Sequence, residues 1–149
     1  MDIIYKGERL KYIDDYYGDQ VLWITRPEQI GMEHMKFVGG YPNEYCIYIS
    51  ELSTEERAEI QRQLLGQLSY CGVDCSACPD FLNKKCPSCR HTEWKSGDEC
   101  MPVKCCNEKG FDSCASCDGF PCDEMAAFYK ESDSHQYAYK IMSILRRMH

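Results

Sequence analysis

Short runs of β-branched and aromatic residues, broken by turn residues, fill the first third of the chain. Residues 3–5, 10–13, 20–25 and 45–49 read as strands, since such side chains suit a pleated, half-buried surface. Gly18-Asp19, between two of these runs, fits a hairpin turn. Pro27 can open a short helix over 27–35, because its missing N–H costs nothing in a first turn. Gly39-Gly40 and Tyr41-Pro42-Asn43 then break the chain. The period changes near residue 52. Ile60, Leu64 and Leu68 recur at helical spacing, and Ser53 with Glu56 three residues on forms a capping box, so a helix is predicted over 52–68. Gly66 weakens that helix by about 1 kcal/mol. A helical period returns after Cys122, where Asp123 and Glu124 suit a helix N-terminus and Met125, Phe128 and Tyr129 form an inner face. Ser132-Asp133-Ser134 interrupts it, and a last helix is predicted to about Met148, with Tyr137, Ile141, Ile144 and Leu145 inward and Arg146 and Arg147 in its final turn.

These patterns predict an α+β fold: a small N-terminal antiparallel sheet in residues 1–52, a linking helix over 53–69, and a metal-stabilised cysteine-rich domain over 70–149 with short helices and a C-terminal helical segment. At 149 residues, each half is near the size where an apolar core alone is marginal. Cross-links or metal would have to supply the difference.

The cysteines say which half needs that help. Eleven of the twelve lie between Cys71 and Cys122, in three Cys-x-x-Cys pairs (Cys75/Cys78, Cys86/Cys89, Cys114/Cys117) and single residues at short intervals. The N-terminal stretch MDIIYKGERLKYIDD carries charges where a signal peptide needs an apolar core, and runs such as Val21-Leu22-Trp23-Ile24 are far shorter than the roughly 20 residues that span a bilayer. A cytoplasmic protein with no membrane segment is expected. In a reducing compartment clustered thiols are metal ligands or redox groups rather than disulfides. The formal net charge of -7, counted before any thiolate, disfavours nucleic acid as a partner. Lys84, Lys85, Arg90, Arg146 and Arg147 read as solvated loop and helix-end charges.

A Cys-x-x-Cys turn brings two sulfurs to within about 2.3 Å of one zinc ion at tetrahedral angles. Pro87 presets such a turn in Cys86-Pro87-Ser88-Cys89. Cys86 and Cys89, a loop over 90–99, then Cys100 and Cys105 make a zinc-ribbon-like set of four. Met101-Pro102 starts a short helix that Gly110 ends, and on it Cys105 and Cys106 point about 100° apart. Cys105 is the expected ligand and Cys106 a buried thiol. Cys75, Cys78, Cys114 and Cys117 form the simplest second set, with Cys71 and Cys122 as alternates. Cys122 opens a helix, whose dipole lowers a thiol pKa. His91 reads as an exposed loop residue, and His34, His135 and His149 lack ligand spacing. Cys46, in a strand, reads as a small buried apolar residue. About two zinc ions are expected. The alternative is one [4Fe–4S] cluster: Cys71-x3-Cys75-x2-Cys78 has the spacing of the cluster motif of radical S-adenosylmethionine enzymes, and Cys78-Pro79 has the proline that follows ligand cysteines in ferredoxins.

The ordered series Cys71-Gly72, Asp74-Cys75, Cys78-Pro79, Cys86-Pro87-Ser88-Cys89, Cys100, Cys105, Glu108-Lys109-Gly110, Cys114-x-x-Cys117 and Phe120-Pro121-Cys122 resembles a group of small bacterial and archaeal proteins, the domain of unknown function 3795 family. The resemblance spans about residues 70–128. Cys106 departs from its pattern, and residues 1–65 with Cys46 lie outside it. It implies zinc binding and carries no activity with it. The expected function is therefore a zinc-stabilised protein-interaction module with a protein partner; the alternative is an iron–sulfur or thiol-based redox or metal-handling protein. No general base stands beside a nucleophile in the sequence, so no catalytic residue is assigned.

Overall fold

The computed structural model describes residues 3–9, 12–16, 19–24, 36–39, 44–95 and 97–148. Two compact units divide the chain, Met1–Leu64 with Met148 and Leu65–Arg147 with His149.

In the first unit, β1 (Ile4–Tyr5) and β2 (Glu8–Arg9) pair antiparallel, with Ile4 opposite Arg9. Lys6 and Gly7 between them both take positive φ, 49° and 82°, which is what a two-residue turn matched to strand twist requires. A separate antiparallel sheet holds β3 (Tyr12–Tyr16), β4 (Asp19–Ile24), β5 (Lys36–Gly39) and β6 (Glu44–Tyr48), in the order β3-β4-β6-β5. Tyr16 lies opposite Asp19, closing the hairpin expected at Gly18-Asp19. The strand expected over 10–13 appears as β3, displaced toward its C-terminal side. β2 and β5 were not predicted: a two-residue strand has no period, and Lys36-Phe37-Val38-Gly39 ends in the glycine that reads as a break. The helix expected over 27–35 falls outside the described residues.

Helix α1 (Thr54–Leu65) follows, capped as its sequence requires. The Ser53 N–H donates to Glu56 Oε2 at 2.8 Å, and the Glu56 N–H donates to Ser53 Oγ at 3.1 Å. It stops three residues before the expected Leu68, at the turn that begins with Gly66. Ile3, Tyr5, Ile47, Ile49, Ile60 and Leu64 are buried in this unit together with Cys46. Gln63 clamps Ile4, accepting from its N–H at 2.8 Å and donating to its carbonyl at 3.0 Å.

The second unit contains α2 (Pro79–Leu82), α3 (Met101–Lys109), α4 (Asp123–Phe128) and α5 (Asp133–Met148). Pro102 lies in the first turn of α3, and Gly110 ends it at φ 69°, its N–H donating to the Cys106 carbonyl. The inward stripe of α5 holds Ala138, Ile141, Met142, Ile144 and Leu145, all at most 1% exposed. Tyr129 is buried as expected, edge-on to the Phe120 ring at 6.0 Å, and Phe120 in turn stacks on Tyr139 at 5.9 Å. Sheets confined to the first unit and helices dominating the second make an α+β chain. Among the described residues no helix is long and apolar enough to cross a membrane.

Candidate functional site

Two of the three Cys-x-x-Cys pairs are built on one plan. Cys75–Ala77 and Cys114–Ser116 each form a single 3-10 turn, and in each the residue before the first cysteine is the cap. Asp74 accepts from the Ser76 N–H at 2.9 Å, and Ser113 accepts from the Ala115 N–H at 3.2 Å. The second cysteine then donates its N–H back to the first: Cys78 to Cys75 O and Cys117 to Cys114 O, both at 3.1 Å. Short polar side chains that bond locally to the backbone favour such turns over a longer helix. The third pair is different. Ser88 takes φ 76° between Cys86 and Cys89, and the Ser88 carbonyl accepts from Thr92 Oγ1 at 2.7 Å.

A tight loop carries Cys71. Leu68 bridges to Asp74, the Ser69 N–H donates to Val73 O at 3.0 Å, and Gly72 at its tip takes φ 96°. This loop also receives the other segments. The Tyr70 N–H points at the Cys89 sulfur at 3.4 Å, and the Cys114 N–H donates to Tyr70 O at 2.9 Å. Ser69 Oγ and Cys71 Sγ share a hydrogen at 3.1 Å.

The thiols thereby fall into two groups. Burial first, and then the thiols of Cys89, Cys86, Cys71 and Cys78, push the Cys75 thiol up to about 11. Burial likewise raises the Cys89 thiol, against the Tyr70 N–H that favours its anion, with Cys71 and Cys100 as its thiol neighbours. The second group surrounds a cavity of about 30 Å³ lined by Cys105, Cys106, Cys114, Cys117 and Cys122. Within it Cys114 donates to Cys106, which raises the Cys114 thiol and lowers that of Cys106. This differs from the grouping expected from spacing, which put Cys105 with Cys86, Cys89 and Cys100, and Cys75 and Cys78 with Cys114 and Cys117. Chain order favours neighbours in sequence, whereas the Tyr70 contacts gather segments far apart in it. Cys106 is 1% exposed and Cys105 half-buried, while Cys46 lies buried in the other unit. His91 is exposed. No disulfide joins any of the twelve cysteines, all of which lie among the described residues.

Two basic residues read as solvated charges are tied into this region instead. Arg90 Nε donates to the Leu68 carbonyl at 2.8 Å, and its guanidinium lies over the Tyr70 ring at 4.4 Å from the centroid. Its Nη2 is buried with no hydrogen-bond partner among the described residues. Arg146, on α5, donates to the carbonyls of Ala115 (3.2 Å), Cys117 and Asp118 (3.3 Å), clasping the second 3-10 turn from outside. The sequence signal was faint: an arginine directly after a Cys-x-x-Cys pair, and one of two consecutive arginines in a helix's last turn. Lys109 also stands beside the second group, with Cys105, then Cys117, holding its ammonium pKa up.

Among the described residues no three His, Cys, Asp or Glu side chains converge as ligands of one ion. The donor set is nevertheless that of a thiolate metal site. Five thiols, from Cys105, Cys106, Cys114, Cys117 and Cys122, line one small cavity together with Met101, Phe111, Phe120 and Met125. A buried guanidinium nitrogen without an acceptor lies in the same region, where a neutral thiol compensates it poorly and a thiolate site well. The residues that would hold ions are Cys75, Cys78, Cys86 and Cys89, adjoined by Cys71 and Cys100, and Cys105, Cys114, Cys117 and Cys122.

No curated protein and no solved structure matches the chain. Residues 67–127, less than half of the chain but holding every cysteine except Cys46, match the model of the family described as Protein of unknown function (DUF3795), and in this cysteine-rich segment the protein resembles that family.

Proposed function

We propose that the cysteine-rich unit is a zinc-stabilised protein-interaction module of the cytoplasm, holding two ions in four-thiolate sites. The single observation that carries this reading is the small cavity to which Cys105, Cys106, Cys114, Cys117 and Cys122 bring their side chains from three separate segments, beside Met101, Phe111, Phe120 and Met125. Zinc would supply folding free energy on the order of 10 kcal/mol, which a unit with so few buried aliphatic side chains outside α5 needs. A saturated four-thiolate site leaves no position for substrate, so the role is structural and the function lies in what the surface meets. Phe81 and Leu82, 38% and 63% exposed and separated from Cys78-Pro79 only by Asp80, offer apolar contact to a protein partner. Net charge disfavours nucleic acid in that place.

Anaerobic purification followed by metal analysis and a visible spectrum tests the reading. A colourless protein with about two zinc ions per chain is expected. Cys86→Ser and Cys117→Ser should each lose one ion, from different sites. Brown protein absorbing near roughly 400 nm would assign the thiols to an iron–sulfur cluster. A folded protein that takes up neither metal would overturn both.

A further inference from the structure

Between Cys78 and Cys86 the chain leaves the first thiol group and returns to it as a knob, in which every residue over 79–85 is exposed. The knob is nonetheless held. The Leu82 N–H donates to Cys78 O, that of Asn83 to Pro79 O and that of Lys84 to Phe81 O, while Lys85 and Cys86 both donate to Asp80 O. Lys84 takes φ 58°, the left-handed turn that folds the chain back. A segment so ordered loses little conformational freedom on docking. Its tip is apolar, with Phe81 and Leu82 both exposed. Lys84 and Lys85 follow, and neither ammonium has a hydrogen-bond or ion-pair partner among the described residues.

The first unit carries a surface of matching character. A shallow groove of about 270 Å³ runs between the β1–β2 hairpin and α1, lined by Ile4, Tyr5 and Lys6 on one side and Glu55, Glu56 and Glu59 on the other. Most of its charges are satisfied within the chain: Lys6 Nζ lies 3.9 Å from Glu56, and Glu59 accepts from Arg62 at 2.7 and 3.0 Å. Glu55 is left, exposed and without a partner among the described residues, in the groove that the exposed Ile4 also lines. An apolar wall with one uncompensated negative charge suits an apolar tip followed by cations. Charges farther than about 8 Å are screened at physiological ionic strength, so the docked segment responds to these groups and not to the chain's net charge of -7. A bilayer would face more of that net charge, which disfavours an anionic membrane as the target of the knob.

We propose that the groove between the β1–β2 hairpin and α1 receives the 79–85 knob of a second copy of this chain, with Phe81 and Leu82 against Ile4 and the ammonium groups of Lys84 and Lys85 at Glu55. This pairing rests on Phe81 and Leu82 being a protein-contact surface, and it does not depend on which metal the thiols hold. A contact this small makes a weak, transient assembly.

Sedimentation analysis of the full chain tests it. Self-association is expected with a dissociation constant of about 10–300 µM at low salt, weakening at least about threefold in 0.5 M salt. Lys84→Glu with Lys85→Glu should abolish it, and so should Glu55→Lys, each with metal content and circular dichroism unchanged. Mixing these two variants should restore association, because the reversed knob of one copy then meets the reversed groove of the other. A chain that stays monomeric at about 1 mM, association that neither reversal weakens, or two variants that do not combine would overturn the pairing. Phosphatidylserine vesicles supply a parallel arm, in which binding lost with Lys84→Glu and Lys85→Glu, without self-association, would assign the knob to lipid instead. A monomer that keeps its metal would sink the pairing and leave the zinc reading standing.

Discussion

The Tyr129 hydroxyl donates to the Cys71 carbonyl at 2.7 Å, across 58 residues of sequence. Tyr129 is 3% exposed and Cys71 half-buried, so the bond is shielded in large part from water. The bond fixes the loop that carries Cys71 against the residue that follows α4. Tyr129→Phe should cost about 1–3 kcal/mol, the penalty of an unpaired buried acceptor. Chemical denaturation of variant and parent checks it, and a loss under about 0.5 kcal/mol would mean that the loop readjusts.

Gly72 is the tightest position in the same loop. A Cβ there would lie 2.7 Å from Met142 Cγ and 2.9 Å from the Ala138 carbonyl oxygen, and φ is 96°. Steric overlap and backbone strain therefore add. Gly72→Ala should destabilise the second unit by about 3 kcal/mol or more, read as a fall in its thermal midpoint.

Arg146 tests whether the second turn needs support from outside itself. Its guanidinium reaches three carbonyls around Cys117, a geometry that the ammonium of lysine does not reproduce. Arg146→Ala should cost about 1.5–3 kcal/mol, and Arg146→Lys should recover less than half of that. With zinc bound as proposed, competition with a chelator should show weaker retention of one ion in both variants.

Arg90 provides a comparison whose sign depends on the state of the thiols. Its orphaned Nη2 is a cost beside neutral thiols and an asset beside a thiolate site. Arg90→Met should therefore destabilise the metal-loaded protein by about 1–3 kcal/mol. After chelation the same substitution should cost clearly less. Equal effects in both states would remove the charge argument for a thiolate site.

Glu56 controls a pH dependence in the first unit. The Ser53 N–H, ahead of the Tyr5 hydroxyl and Lys6, holds its carboxyl below the ordinary range, against a smaller opposing effect of burial. A carboxyl with a depressed folded-state pKa stabilises the fold above its unfolded value, near ~4.3, and that contribution disappears as pH falls through the folded value. Because the side chain is only half-buried and solvent screens its contacts, Glu56→Gln should cost only about 0.5–1 kcal/mol at pH 7. The difference should close in a denaturation series as pH falls below the ordinary carboxyl value and through the depressed folded-state one.

What could be read from the sequence was what is local. The Ser53–Glu56 box, the Gly110 stop and the Ile141, Ile144 and Leu145 stripe of α5 each depend on residues within a turn or two, and each forms as predicted, although Ala138 and Met142 rather than Tyr137 complete the buried face. The thiol grouping depends on where segments return. The Cys114 N–H reaches the Tyr70 carbonyl 44 residues back, and nothing in cysteine spacing encodes that contact. Arg90 and Arg146 were misread for a related reason: charge alone suggests solvent, and only the tertiary fold reveals carbonyls facing them.

Arg146 also imposes an order on synthesis. The last cysteine leaves the ribosome before α5 does, and Ala115 waits 31 residues for the guanidinium that clasps it. A nascent chain thus presents its full complement of sulfurs before the support for one set exists. During that interval the thiols are exposed to oxidants, so reducing conditions at the moment of translation should govern the yield of native protein.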